Sequence, residues 1–225
     1  MNRIHPTVII EGDVELGENN EILPYTVLIG PLKIGDNNII GPHVVIGSPG
    51  QDTRNPRYDS SNKFISIGND NIIREFTAIQ KPCYEEITKI GNNVYLMQSV
   101  HIPHDAIISD YVVITPMVVL AGLTRILTGA NLALGVTVSQ YVVVGHYSIA
   151  ASGATVLKNI KPFSRHIPGK PISVNEYAIK KYNLNDYFNE INDYVMEDIL
   201  PKSKVINDII IEYTLLHDKS GIKQY

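Results

Sequence analysis

The 225-residue chain has one cysteine, no tryptophan, four phenylalanines, and no run of apolar residues long enough to cross a membrane. A lone Cys83 rules out an intramolecular disulfide framework and fits a reducing cytoplasm. Only 8% of residues are aromatic although 44% are hydrophobic, so the core must be narrow and filled by aliphatic side chains. The net charge of −4 gives no electrostatic ground for nucleic-acid binding. The opening Met-Asn-Arg-Ile-His lacks the apolar stretch of a secretion signal.

What the chain does have is a period of six. Aliphatic residues fall at Ile4, Ile10, Leu16, Ile22, Leu28, Ile34, Ile40 and Ile46, then at Ile67, Ile73 and Ile79, then at every sixth position from Ile90 to Val156. Of these 23 positions only Ala150 is not Ile, Leu or Val. Helices repeat near 3.6 and strands near 2, so neither accounts for this spacing. A hexad is the mark of a parallel β-helix in which each flat face sends one side chain into a central core. Three faces make an 18-residue triangular coil.

The repeat is broken twice, by 15 extra residues between Ile46 and Ile67 and by five between Ile79 and Ile90. Register holds on either side, so both insertions must bulge from a corner, as binding loops do in repeat folds. The organisation expected is a β-helix over residues 1–162 with loops near 47–66 and 80–89, then a loop and helical extension over 163–225. Residues 185–200 carry a helical face of Tyr187, Phe188, Ile191, Tyr194, Val195 and Ile199, with Asn185 as N-cap and Pro201 as stop. Ser203 caps a second helix with Val205, Ile206, Ile209, Ile210, Tyr213 and Leu216 inward. These helices are expected to pack on each other and to cover the open edge of the last coil.

The segment Val100-His101-Ile102-Pro103-His104-Asp105 is the strongest chemical signal. His104, Gly122 and Gln140 are spaced by 18, which stacks them in a column along one prism edge. A histidine is a base near neutral pH, a glycine one coil away leaves its backbone N–H open to an oxyanion, and Asp105 can orient the imidazole. That combination suits acyl transfer. The plainer alternative makes His104 and Gln140 surface corner residues and Gly122 a turn residue. The remaining histidines are isolated, and His101 with His104 are too closely spaced for the zinc sites of some β-helical proteins.

Several short stretches together resemble the hexapeptide-repeat acyltransferases, and within them the UDP-N-acetylglucosamine O-acyltransferase branch. They are Ile4-His5-Pro6-Thr7, Gly50-Gln51-Asp52, Ile73-Arg74-Glu75-Phe76, Leu96-Met97, His101 through Asp105, and Leu120-Ala121-Gly122. The resemblance implies a left-handed β-helix, a cytoplasmic homotrimer with sites between subunits, no metal and no tightly bound cofactor. It implies a thioester donor, on acyl carrier protein or coenzyme A, and a nucleotide-sugar acceptor in lipopolysaccharide or surface-glycan synthesis. His104 falls on the family's base, Asp105 on its acidic neighbour and Gly122 on its oxyanion donor. Asp52, Arg54, His101, Gln140, Asn175 and Lys181 fall on substrate-binding positions. The basic run Lys158, Lys161, Arg165, Lys170, Lys180 and Lys181 offers a surface to an anionic partner.

The chain departs from the pattern at Leu123 and Ser139, where the family carries histidines, and at Lys81-Pro82-Cys83, Tyr177 and Tyr182. These changes imply the same chemistry on an altered acceptor. Leu123 and Ser152 fall along the acyl groove, where Ser152 replaces a glycine and implies a shorter acyl group. An acetyl-CoA-dependent N-acetyltransferase of amino sugars is the second reading, and a non-catalytic assembly module the third.

Overall fold

A computed structural model describes residues 1–52 and 59–225. Short parallel strands stack into three sheets that form a left-handed triangular prism. The first face runs from Arg3–Ile4 to Ile149–Ala150 and continues into Ser164–His166. The second runs from Ile9–Glu11 to Thr155–Val156, and the third from Val14–Leu16 to Val143–Val144. Register is in step with the hexads: Ile73 lies between Ile40 and Leu96, and Ile67 between Ile34 and Ile90. The aliphatic positions from Ile22 to Val156 are buried together in one core. Ile4 and Ile10, at the open first coil, are exposed.

From Asp105 to Gly153 each corner turns through one residue in the left-handed region, again every six: Asp105, Tyr111, Met117, Leu123, Gly129, Gly135, Tyr141, Tyr147 and Gly153 all have φ between 55° and 71°. For a side chain such as Leu123 this costs roughly 1 kcal/mol, which the paired strands on both sides must outweigh. An internal asparagine ladder helps to hold the lower coils. The Asn20 side-chain oxygen accepts the backbone N–H of Asn38 at 2.9 Å, and that of Asn38 accepts the N–H of Asn71 at 3.0 Å. The Asn38 amide also donates to the Gly68 carbonyl at 3.0 Å. All three asparagines are buried. Asn38→Ala strands several of these groups at roughly 1–3 kcal/mol each. We expect a fall of about 3 kcal/mol in unfolding free energy by urea titration, with an unchanged slope.

Both insertions leave the prism at the corner between the second and third faces, after Val45–Ser48 and after Ala78–Gln80. His104 stands on that same corner, between His101–Ile102 and Ile107–Ile108.

The C-terminal part differs in detail from the periodicity. A helix α1 over Glu176–Lys181 was not expected; it is short, and its buried side is only Ala178 and Ile179. Asn185 opens a single 3-10 turn rather than capping a helix, and α2 spans Phe188–Glu197. Asp198 takes the left-handed conformation and ends α2 before Pro201, which leaves Ile199 exposed. Lys161 reaches up from the prism and donates to the last carbonyls of α2, those of Tyr194 and Val195, while pairing with Asp198. A cation there meets the negative end of the helix dipole.

Helix α3, over Lys204–Ser220, follows Ser203, whose hydroxyl makes no cap hydrogen bond. Phe163, Ile191, Tyr194, Val195, Ile206 and Ile210 join α2, α3 and the prism in a second core, from which Val205 is excluded. Further along, α3 lies on the third face, burying Tyr213 against Leu127 and Val143. The open end of the prism is covered by the helices, which pack on Phe163 and hold Asn159, together with residues 221–225. Ile222 and Tyr225 pack on the main core, and the Asn159 side-chain amide is satisfied by His217, Ser220 and the Ile222 carbonyl.

Candidate active site

His104, Gly122 and Gln140 succeed one another up the corner between the second and third faces. Backbone hydrogen bonds tie the coils there: the Leu123 N–H donates to the His104 carbonyl and the Tyr141 N–H to the Gly122 carbonyl, each at 3.2 Å. The corner is not the open edge expected of a bare prism. Gly50, from the first insertion, lies against the His104 Cβ, and Tyr84, from the second, sets its ring edge-on at 5.8 Å. Between them they leave His104 only 4% exposed.

The imidazole is held by Asp105, which is fully buried. His104 Nδ1 lies 2.7 Å from Asp105 Oδ2. The same carboxylate accepts the backbone N–H groups of Cys83, Tyr84 and Glu85, the last at 2.8 Å, and Thr88 Oγ1 accepts the Asp105 N–H at 3.0 Å. Three residues of the second insertion, Cys83, Tyr84 and Glu85, thus form an anion nest around Asp105. Burial pushes the Asp105 carboxyl up, but the His104 bond and the three N–H groups together outweigh it and hold the carboxyl below the usual range. An ionised Asp105 only accepts, so the imidazole proton sits on Nδ1 and Nε2 carries a lone pair.

Nε2 lies over Gly122. A Cβ added there would collide with Cε1, Nε2 and Nδ1 of the ring, so no other residue fits without displacing the base. Among the described residues no acceptor engages the Gly122 N–H. A base with a free lone pair therefore sits beside a free backbone donor.

Because the folded carboxyl titrates below its unfolded counterpart, its contribution to stability is fully present above the unfolded value of about 3.9. It is lost as pH falls through the lower folded value. We expect the stability gap between the wild type and Asp105→Asn to be constant from about pH 5 to 8 and to shrink below about pH 4. Chemical denaturation at several pH values measures it; a gap that widens in acid contradicts the ionised assignment.

His101 lies one strand back, half-buried, with Nδ1 3.2 Å from the Leu120 carbonyl. Burial pushes its pKa down, the Leu120 carbonyl opposes, and nearby His104 adds to the lowering. Asp52 reaches the site through a short hydrogen bond from the Tyr84 hydroxyl. Arg54 lies outside the described residues. Gln140 is exposed at the top of the column. Leu123 lines a cleft of about 140 Å³ between this corner and α3.

The other expected site residues are not brought here within one chain. Ser152 is exposed on the corner between the first and second faces. Asn175 and Lys181 border a separate cleft beside the first face, with Tyr177 and Tyr182. Asn175 is buried there, its side-chain amide donating to the Tyr147 carbonyl at 2.8 Å and its backbone N–H to the Phe163 carbonyl. Lys181 lies over the Tyr182 ring. Of the basic run, Lys161 is buried under α2, while Lys158, Arg165, Lys170, Lys180 and Lys181 are exposed.

Thr88 and the roles that Gly50 and the Cys83–Glu85 backbone play at the site are not given by the sequence. These residues act through main chain or lie in the insertions, where the hexad gives no register. The one available signal was that both insertions precede His104 at the same corner.

A family model described as bacterial transferase hexapeptide, with six repeats, matches residues 13–48 and 87–122. A relative from Burkholderia lata, named acyl-[acyl-carrier-protein]–UDP-N-acetylglucosamine O-acyltransferase, is 38% identical over 72% of this chain and 69% of its own. A protein of the same name from Gloeothece citriformis is 32% identical over 80% of this chain and 58% of its own. The chain spans about half the length of several such relatives. The crystal structure of the Francisella novicida UDP-N-acetylglucosamine acyltransferase superposes with a TM-score of 0.80 at 25% identity, covering 100% of this chain and 92% of that one. That from Bacteroides fragilis gives 0.74 at 26% identity, covering 94% and 89%. The chain belongs to the hexapeptide-repeat acyltransferase family.

Proposed function

We propose that the protein transfers an acyl group from a thioester, on acyl carrier protein or coenzyme A, to a hydroxyl or amine of a nucleotide-linked sugar. The observation that carries this reading is His104 Nε2 lying over Gly122 with its Nδ1–H held by buried Asp105. Nε2 takes the acceptor's proton as its oxygen or nitrogen attacks the thioester carbonyl. The oxyanion of the tetrahedral adduct accepts the Gly122 N–H. Collapse re-forms the carbonyl and expels the thiolate, which takes the proton back from the imidazolium. Asp105 stays ionised throughout and supports the charged ring. The relatives' names favour acyl carrier protein as donor and a UDP-sugar as acceptor.

In this reading Asp52 and Arg54 hold the sugar, with His101 and Gln140 beside the reacting group. Asn175 and Lys181 meet the nucleotide, and Leu123 and Ser152 border the acyl chain. These residues occupy different edges of one prism, so one chain cannot apply them all to one ligand; a homotrimer, in which a neighbour's edge faces His104, would. An exposed stripe supports such packing: Tyr25, His43 and Phe76 stack at 5.0 and 5.3 Å along the corner that also carries Met117 and Leu134. The setting is cytoplasmic, where carrier-protein thioesters and nucleotide sugars meet, and the product feeds lipopolysaccharide or surface-glycan assembly. Leu123 and Ser152 favour a short acyl group.

The test pairs the full chain with UDP-amino and UDP-N-acetylamino sugars and with acetyl, four-carbon and fourteen-carbon thioesters on either carrier. Mass spectrometry should find an acylated nucleotide sugar. No product from any pairing, with a folded protein, overturns the proposal.

A further inference from the structure

Arg125 and Glu85 form an ion pair that the acyl-transfer chemistry does not itself use. Arg125 stands on the third face, one position before core residue Ile126 and one coil above the dyad. Its Nη2 lies 2.8 Å from Glu85 Oε1, while its Nη1 donates to the Asp105 carbonyl at 2.7 Å and the Thr124 carbonyl at 3.2 Å. Glu85 in turn donates its backbone N–H to the Asp105 carboxylate at 2.8 Å. These contacts close a ring from the Asp105 carbonyl through Arg125 and Glu85 back to the Asp105 carboxylate.

We propose that the Arg125–Glu85 pair is a positioning device that fixes Asp105, and through it the His104 imidazole, over Gly122. This rests on the acyl-transfer reading of the site.

Three features make the ring more than a surface salt bridge. The guanidinium is largely buried and spends separate N–H groups on a carboxylate and on two carbonyls, a fork that lysine cannot reproduce. Asp105 is fully buried, so water cannot replace a contact that its carboxylate or carbonyl loses. The segment supplying the N–H nest, residues 83–85, lies in an insertion outside the regular strand pairing, and Glu85 is its side-chain tie to the adjoining coil. Without that tie the nest is free to drift from the carboxylate. A displacement near 1 Å at a reacting group can cost about 10²-fold in rate.

The experiment uses Arg125→Met, Glu85→Gln and Arg125→Lys in the full-length protein. Two readouts are taken: steady-state kinetics, and the low-field proton NMR signal of the His104 Nδ1–H hydrogen bond. For Arg125→Met and Glu85→Gln we expect kcat to fall about 10- to 100-fold with KM within about threefold, and the low-field signal to broaden or vanish. Arg125→Lys should recover only part of either. The double variant should cost little more than the worse single one, since both break the same ring. If Arg125→Met fails to fold, Glu85→Gln carries the test, because it keeps the backbone N–H and the side-chain length. A melting temperature that drops while kcat and the low-field signal stay as in the wild type overturns the proposal and leaves a structural salt bridge. If the wild type transfers no acyl group to any acceptor yet the signal still depends on both residues, the functional reading fails and the positioning role stands.

Discussion

His104→Ala should lose roughly 10²–10⁴-fold in turnover with the prism intact. The expectation follows from what the change removes and what it leaves. It deletes the lone pair that, among the described residues, sits beside the Gly122 N–H, so the acceptor must lose its proton to water. The Asp105 carboxylate keeps the N–H groups of Cys83, Tyr84 and Glu85, so no buried charge is stranded. The Gly122 donor remains, and with it the fraction of catalysis that comes from the oxyanion and from binding, so KM should change little. His101→Ala is the informative comparison. Its Nδ1 is committed to the Leu120 carbonyl and its ring is not braced by a carboxylate, so its loss should weaken binding more than turnover. If His101→Ala abolishes transfer while His104→Ala keeps near-full turnover, the base has been assigned to the wrong histidine.

The architecture was legible because one side chain in six must meet the core, a period that neither a helix nor an ordinary strand produces. The insertions could be counted from the same repeat, and their shared corner follows from the phase of the hexads on either side. The asparagine ladder was not seen, since Asn20, Asn38 and Asn71 are separated by 18 and then 33 residues once the insertion intervenes. In the tail, apolar spacing found both long helices and Ser203 does precede α3, but the ends of α2 were misplaced, because Asp198 terminates α2 through its backbone conformation and not through composition. The open edge of the last coil needs cover, and α2 and α3 supply part of it through Phe163 and Asn159; the last five residues, whose Ile222 and Tyr225 pack on the main core, add to it but carry no periodicity by which to be read.

At the site the 18-residue spacing identified the column but not its enclosure. Periodicity says which residues share an edge; it says nothing about how an irregular loop folds back over them. That is why the burial of His104 beneath Gly50 and Tyr84 had no sequence counterpart. It also explains the nest around Asp105, made of backbone N–H groups that any residues but proline at 83–85 would present.

Gly122→Ala should be the other severe change, with a loss of at least about 10²-fold in kcat/KM and a cost of about 1–3 kcal/mol in stability. Gly122 is not itself in the left-handed region; that conformation falls to Leu123, at φ 63°. Alanine is therefore acceptable to the backbone, and the damage comes from space alone. The added methyl meets three atoms of the imidazole, and strand pairing on both sides prevents the peptide from yielding, so the ring must swing away. Swinging breaks the 2.7 Å bond to Asp105 and separates Nε2 from the acceptor, while the methyl itself crowds the position of the oxyanion. Gly221→Ala gives a different pattern. It has φ 66° with nothing within 4 Å of an added Cβ and stands past the end of α3, so it should cost about 1 kcal/mol in stability and no activity. Kinetics and denaturation of the two variants side by side separate steric displacement of the base from backbone strain. A Gly122→Ala protein that keeps more than about a tenth of wild-type kcat/KM would show that the reacting atoms do not lie between His104 and this peptide.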